Sequence, residues 1–162
     1  MSKTKCCAYV LSKWAKTKVI LPNEALAAHI PETRRMTRQG LEMMLDQYRM
    51  VYVKPDKGTY GTGVMRVERE DGVLGTIYRF QEGKKERSFY SYDEMYRAIK
   101  KRTGRRMYLV QKGIHLLKHK KRRFDLRVMV QMSPSKKWVT TGIIGRLADP
   151  KKVVTNVHNG ER

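Results

Sequence analysis

Apolar residues along this chain follow two periods. From Thr37, Leu41, Met44, Leu45 and Tyr48 recur every three or four positions, which predicts an amphipathic helix over 37–49. "SYDEMYRAIKKR" has acids in its first turn and bases in its last, and reads as a second helix with Ser91 as its cap and Gly104 as its stop. Nearer the start, "SKWAKTKVILPNEALAAHIPE" divides at Pro22-Asn23 into two short helical pieces, the first capped by Ser12. Pro31 then forces extension, so "IPETRRM" is strand-like.

Elsewhere the period is two. "MVYVKP" and "GVMRVERE" read as strands, and Asp71-Gly72 as a hairpin turn into "VLGTIYRFQ". "ERSFY", "MYLVQKGI", "FDLRVMVQM" and "WVTTGIIGRL" add four more strands. Strands predominate, so the expected class is α+β, antiparallel sheets with helices on one face. Alternation in "RRFDLRVMVQM" sends Phe124, Leu126, Val128, Val130 and Met132 to a core face, and Asp125, Arg127, Met129 and Gln131 to the other. The same period gathers Trp138, Thr140, Gly142, Ile144 and Arg146 on one side of their strand. An acid and arginines placed this way make either a site or a cross-strand ion pair on a solvated sheet.

Between the first two strands lies "VYVKPDKGTYGTGVMRV". Gly58 and Gly63 have the spacing of a P-loop, but Val64-Met65 and a strand follow, where that loop needs Gly-Lys-Ser/Thr opening a helix. A dinucleotide fingerprint also leads into a helix. A kinase-type flap is strand-turn-strand, with its lysine on a later strand. Here Lys54 comes first. Glycines 58, 61 and 63 would let backbone N–H groups approach phosphate oxygens, with Lys54 and Lys57 supplying charge. The same residues also fit a glycine-rich hairpin that holds nothing.

At 162 residues and 40% hydrophobic, the chain suits one domain or two small lobes and can build a core. No run approaches the ~18 apolar residues of a membrane span. "MSKTKCCAYVLSKW" lacks the apolar stretch and cleavage site of a secretory signal, so a cytoplasmic protein without membrane contact is expected. Adjacent Cys6 and Cys7 read as free thiols, and His115 and His119 lack a third ligand, so no metal site is expected from these residues. No G-x-S-x-G or other nucleophile motif occurs. The excess of 36 Lys+Arg over 15 Asp+Glu gives +21, which attracts polyanions. Its densest run, "KHKKRR" (118–123), reads as a solvated connection or the flank of a cleft. A basic nucleic-acid-binding module is the alternative reading, although no RNP-like aromatic pair, zinc finger or recognition-helix pattern is present.

Taken in order, "SKW", "IPETRRMT", "VYVKPDKGTYGTGVMRV", "YLVQKGI", "FDLRVMVQ", "WVTTGIIGR" and "TNVHNG" resemble the ATP-grasp superfamily, and within it the spore-coat-associated YheC/YheD type. The resemblance implies two small α+β lobes around a nucleotide cleft: a helical lead-in over 1–36, a small lobe with a glycine-rich flap over 37–107, and a hinge with a partial core lobe over 108–162. It implies that Lys54 contacts ATP phosphates under a flap that includes Gly58, Thr59, Gly61 and Gly63. Gln111, Lys112 and Ile114 fall in a hinge, 110–114, whose backbone reads the adenine. Lys13 matches an early lysine, Asp125 a nucleotide-contacting acid, and Asn156 the phosphate and metal end of the site. Arg127 and Arg146 are the candidate catalytic cations. The implied chemistry uses ATP and Mg²⁺: ATP phosphorylates an unknown carboxylate, and an unknown amine attacks the acyl phosphate.

Two departures stand out. Position 112 is lysine where glutamate-ligase relatives carry an acid. The chain also ends at "NVHNGER", ahead of the Asp and Glu-x-Asn strands that hold magnesium in relatives, leaving only Glu161 past Asn156. A C-terminally truncated fold with incomplete chemistry is therefore expected. Its missing strands predict an exposed sheet edge, apolar surface and homo-oligomers.

Overall fold

The computed structural model describes residues 10–148. Two short helices, α1 (Lys13–Ile20) and α2 (Glu24–Ala27), part at Pro22-Asn23. Each has its own cap: Ser12 Oγ accepts from Ala15 N, and Asn23 Oδ1 from Leu26 N. After β1 (Thr33–Arg35), Thr37 Oγ1 accepts from Gly40 N and starts α3 (Arg38–Tyr48). A meander follows: β2 (Met50–Pro55), β3 (Met65–Gly72), β4 (Gly75–Glu82) and β5 (Lys85–Phe89). Then come α4 (Tyr92–Thr103) and β6 (Tyr108–Lys112). Ser91 stands at the α4 N-cap position but makes no side-chain cap bond, contrary to the sequence reading.

These strands form one antiparallel sheet in the order β1-β6-β2-β3-β4-β5. Period-two alternation gives it two unlike faces. Val51, Val53, Met65, Val67, Phe80 and Val110 pack under Leu41, Met44 and Leu45 of α3 and Met95 and Ile99 of α4. Tyr52 and Lys54 alternate with Val51 and Val53, and Gln111 sits opposite Tyr52 in the ladder. The opposite face of the sheet thus begins polar, and that is where the site lies. β6, counted with the second lobe from sequence, is an inner strand of this first sheet.

A second sheet, β7-β8-β9, is built from β7 (Lys118–His119), β8 (Arg122–Met132) and β9 (Trp138–Leu147). It departs from expectation in two ways. The face expected to be core is exposed: Leu126 is 63%, Val128 51% and Met132 50% accessible, because no helix lies over it among the described residues. A bulge between Met129 and Val130 then skips Thr141 in the ladder. The extra residue reverses the alternation of β9, so Trp138 and Thr140 share the apolar face with Val130 and Met132, away from Ile144 and Arg146.

The β3–β4 turn also moves. Gly72 pairs with Gly75, leaving Val73-Leu74 as the loop, and Asp71 belongs to the ladder. Its carboxylate accepts from Arg69 and Thr76 and pairs with Arg49, which ties down the strand ends. No helix among the described residues is long and apolar enough to cross a membrane.

Candidate functional site

A cavity of about 340 Å³ opens between the polar face of the first sheet and the near end of the β8–β9 ribbon. Of the residues singled out from sequence, Lys13, Lys54, Gln111, Lys112 and Ile114 line it, as do Gly58, Thr59 and Gly61 of the loop and Asp125 and Arg146 of the ribbon. Arg127 does not. It shares a strand face with Asp125 but stands opposite Ile144, exposed and farther along the ribbon. Asn156 lies outside the described residues.

Lys54 is the cleft's half-buried cation. Its Nζ donates to Gln111 Oε1 at 2.5 Å and lies 5.1 Å from the Tyr52 ring centroid. No carboxylate among the described residues neutralises it. Burial, helped by the charge of Lys13, pulls its pKa down from 10.5 to about 8. Gln111 is fixed in turn, since its Nε2 donates to Thr33 Oγ1. A half-buried ammonium held by a neutral amide and a ring face has no fixed counter-charge among these contacts.

Lys13 is placed differently. Its ammonium donates to the backbone oxygens of Pro55 (2.8 Å), Gly58 (3.0 Å) and Asp56 (3.3 Å), which uses all three of its hydrogens. Burial lowers its pKa, against the pull of Asp56. Lys13 clamps the root of the glycine loop to α1. The partner in that clamp is Asp56, which is 2% exposed. Its Oδ1 accepts from Ser12 Oγ (3.0 Å) and Trp14 N (2.8 Å), so a residue from the loop caps a helix more than forty positions earlier. Its Oδ2 is buried with no hydrogen-bond partner among the described residues.

The glycines divide by role. Gly58 and Gly61 have φ of 138° and 77°, and they let the loop fold back over the cavity. Gly63 (φ 71°) is not part of the lining. A Cβ there would come within 2.8 Å of Tyr108 Oη, so this glycine seats the loop on the sheet. The segment expected to form a hinge divides as well. Gln111 and Lys112 lie between β1 and β2, and Gly113 N donates to Met50 O, so their backbone is committed to the sheet. Among the described residues, Ile114, His115 and Leu116 keep backbone donors and acceptors that no backbone partner takes.

On the ribbon, Asp125 and Arg146 stand directly opposite each other and form a fork, Nε to Oδ1 at 2.8 Å and Nη2 to Oδ2 at 2.6 Å. Both also line the cavity, so the cross-strand pair and the site are the same residues. Asp125 is the carboxylate among the lining residues, and no group of three His, Cys, Asp or Glu able to hold a metal occurs among those described. The described residues do not make the oxygen cage that Mg²⁺ takes. Tyr52, Tyr60, Val64 and Leu116 also line the cavity and were not singled out from sequence. Tyr52 could have been, because it lies two residues from Lys54 on the same strand face.

The chain also resembles known proteins. The model of the YheC/D-like ATP-grasp family matches residues 6–162. Endospore coat-associated protein YheD of Bacillus subtilis (strain 168) is 26% identical over 153 residues, which is 93% of this chain and 32% of that protein. The chain thus spans about a third of that relative's length. No solved structure matches it.

Proposed function

Because the chain belongs to the YheC/D-like ATP-grasp family, we propose that its cleft binds ATP and serves the ligation of a carboxylate to an amine. The observation that carries this reading is Lys54, a half-buried ammonium that no carboxylate among the described residues neutralises, under a loop of positive-φ glycines. Phosphate oxygens would meet Lys54 and the loop's N–H groups. Val64, Ile114 and Leu116 would offer an apolar bed to the base, with the uncommitted backbone of 114–116 at its edge.

In such a ligation a carboxylate oxygen attacks the γ-phosphorus and ADP leaves. An amine nitrogen then attacks the acyl carbon, phosphate departs, and the nitrogen loses a proton. Neither step needs a nucleophile from the protein. The protein's part is to place the reactants, meet growing negative charge with fixed cations and amides, and keep water out. Lys54 is the cation for that task. Arg146 is held in place by Asp125, which leaves its positive charge at the ribbon wall partly balanced.

The test is the rise in Tm on adding ATP. A ligand at a hundred times its Kd stabilises the folded state by about 2.7 kcal/mol. A +21 chain attracts any polyphosphate, so the decisive control is Lys54→Met, which changes the net charge by one. The wild type is expected to gain several degrees and the variant almost none. Equal shifts in both would remove Lys54 from the site, and no shift in the wild type at millimolar ATP would overturn the reading.

A further inference from the structure

The hairpin joining β7 to β8 turns at Lys120 and Lys121, whose φ angles are 46° and 65°. Two-residue loops with both φ positive favour Asn-Gly, and side chains with a Cβ are strained there. Strain kept where a relaxed pair was available points to a use for the side chains. The hairpin is also tied to the cleft. Leu116 lines the cavity, Phe124 N donates to Leu117 O, and Lys118 stands opposite Arg123. Arg123, Asp125 and Arg127 lie on one face of β8, the face that Asp125 presents to the cavity. Burial raises the pKa of the Tyr52 phenol on the facing wall, and the charges of Arg66 and Arg123 act against it, which brings Arg123 within reach of the mouth.

On the first sheet and its helices Arg38, Arg49, Arg66 and Arg69 each meet a carboxylate, while Arg87, Lys100 and Lys101 meet none among the described residues. Along the hairpin and β8, Lys118, Lys120, Lys121, Arg123 and Arg127 meet none among the described residues, and Arg122 donates to Ala148 O. The result is a bare cationic track from the hairpin tip to the cleft.

We propose that this track docks the carboxylate substrate as an extended acidic peptide, with one carboxylate delivered beside Asp125 and Arg146; the assignment as substrate rests on the nucleotide reading above. From Asp125 back to the tip is about four residues of strand, or about 13 Å. A single amino acid or short dicarboxylate cannot span that distance, and an extended chain of about five residues can. A single-stranded nucleic acid fits less well, because such sites stack bases on aromatic rings. Between 118 and 127 the one Phe, Tyr or Trp is Phe124, which faces away from the cleft, Trp138 lies at the far end of the ribbon, opposite Met132, and the rings of Tyr52 and Tyr60 line the cleft rather than the track.

Fluorescein-labelled oligoglutamates of two, four and six residues, titrated with the full chain and read by anisotropy, test the proposal. Affinity is expected to rise at least tenfold from the dimer to the hexamer. Lys118→Gln with Arg123→Gln should cost the hexamer tenfold or more. Lys120→Asn with Lys121→Gly should raise Tm by relaxing the turn and still weaken the hexamer severalfold, an outcome that misfolding cannot imitate. The proposal is overturned by a hexamer that binds no tighter than the dimer, by variants that bind it as well as the wild type, or by a labelled oligothymidylate that binds more tightly through the same residues. The ATP-induced shift in Tm is measured in parallel. Hexamer binding without that shift supports the peptide track and overturns the nucleotide reading alone, while the shift without hexamer binding does the reverse.

Discussion

The first sheet and the β8–β9 ribbon are written in the same alternating code and end in opposite states. In β2, Val51 and Val53 are fully buried, while Tyr52 and Lys54 turn to the cleft. In β8, Leu126, Val128 and Val130 alternate just as regularly and are all more than half exposed. Every buried apolar residue among those described lies between Leu41 and Leu109 or Val110, apart from Ala148. The difference is the second layer. α3 and α4 lie over β2 to β6, and among the described residues no helix lies over the ribbon. Alternation states which side of a strand a residue takes; whether that side is buried depends on what is packed against it. The sheet carries the core and one wall of the cleft, and the ribbon contributes Asp125 and Arg146 to the other.

The most direct way to break this comparison is to make one substitution in both regions. Leu45→Ala empties a fully buried site and is expected to cost about 3–4 kcal/mol in urea unfolding. Leu126→Ala, at a residue 63% exposed, should cost less than about 0.5 kcal/mol. Comparable losses at the two positions would mean that the ribbon is covered in solution.

Lys54 sharpens the comparison from the cleft side. The folded chain binds this proton less tightly than the unfolded chain, with the pKa at about 8 against 10.5. Below pH 8 both states are protonated, and burying the charge costs up to about 3 kcal/mol. Between pH 8 and 10.5 the folded chain has released a proton that the unfolded chain still holds, so this cost is relieved and stability rises with pH. Lys54→Met is expected to flatten that rise and, at pH 7, to stabilise the ligand-free protein by about 1–2 kcal/mol after losing the bond to Gln111. The same variant loses the response to ATP. A residue that weakens the fold and is needed for binding marks a site whose charge is matched only when ligand is present.

How much of this was legible in the sequence follows from how local each feature is. The period of Leu41, Met44, Leu45 and Tyr48 was enough to place α3, because the whole stripe lies within one segment. Lys54 and the flap were readable as a lysine closing a strand before three glycines. The β3–β4 turn was misplaced because Asp71, a common turn residue, is held inside the ladder by Arg49, Arg69 and Thr76. The β9 bulge left no mark in the composition of "WVTTGIIGRL", and a one-residue slip was enough to move Trp138 to the other face. The exposed face of β8 was read as core because its pattern is that of a core strand. The role of Lys13 depended on Asp56, and no local pattern links residues more than forty positions apart.

Asp56 therefore supplies the last test, the most specific in consequence. Removing its carboxylate leaves Trp14 N without an acceptor and Ser12 Oγ without one of its bonds, at the first turn of α1. The cost expected for Asp56→Ala is about 1–2 kcal/mol, that of a lost helix cap. Asp56→Asn keeps an oxygen in the place of Oδ1 and should cost less. If α1 holds the flap through Lys13, then Asp56→Ala will also speed amide exchange at Ala15 and in the 57–63 loop, and will weaken the ATP-induced rise in Tm, although Asp56 is absent from the cavity lining. If exchange in the loop is unchanged while α1 frays, the helix and the flap are independent. The three bonds from Lys13 would then stabilise the loop without positioning it, and the loop would owe its place to Gly63 seated on Tyr108 and to its own backbone bonds.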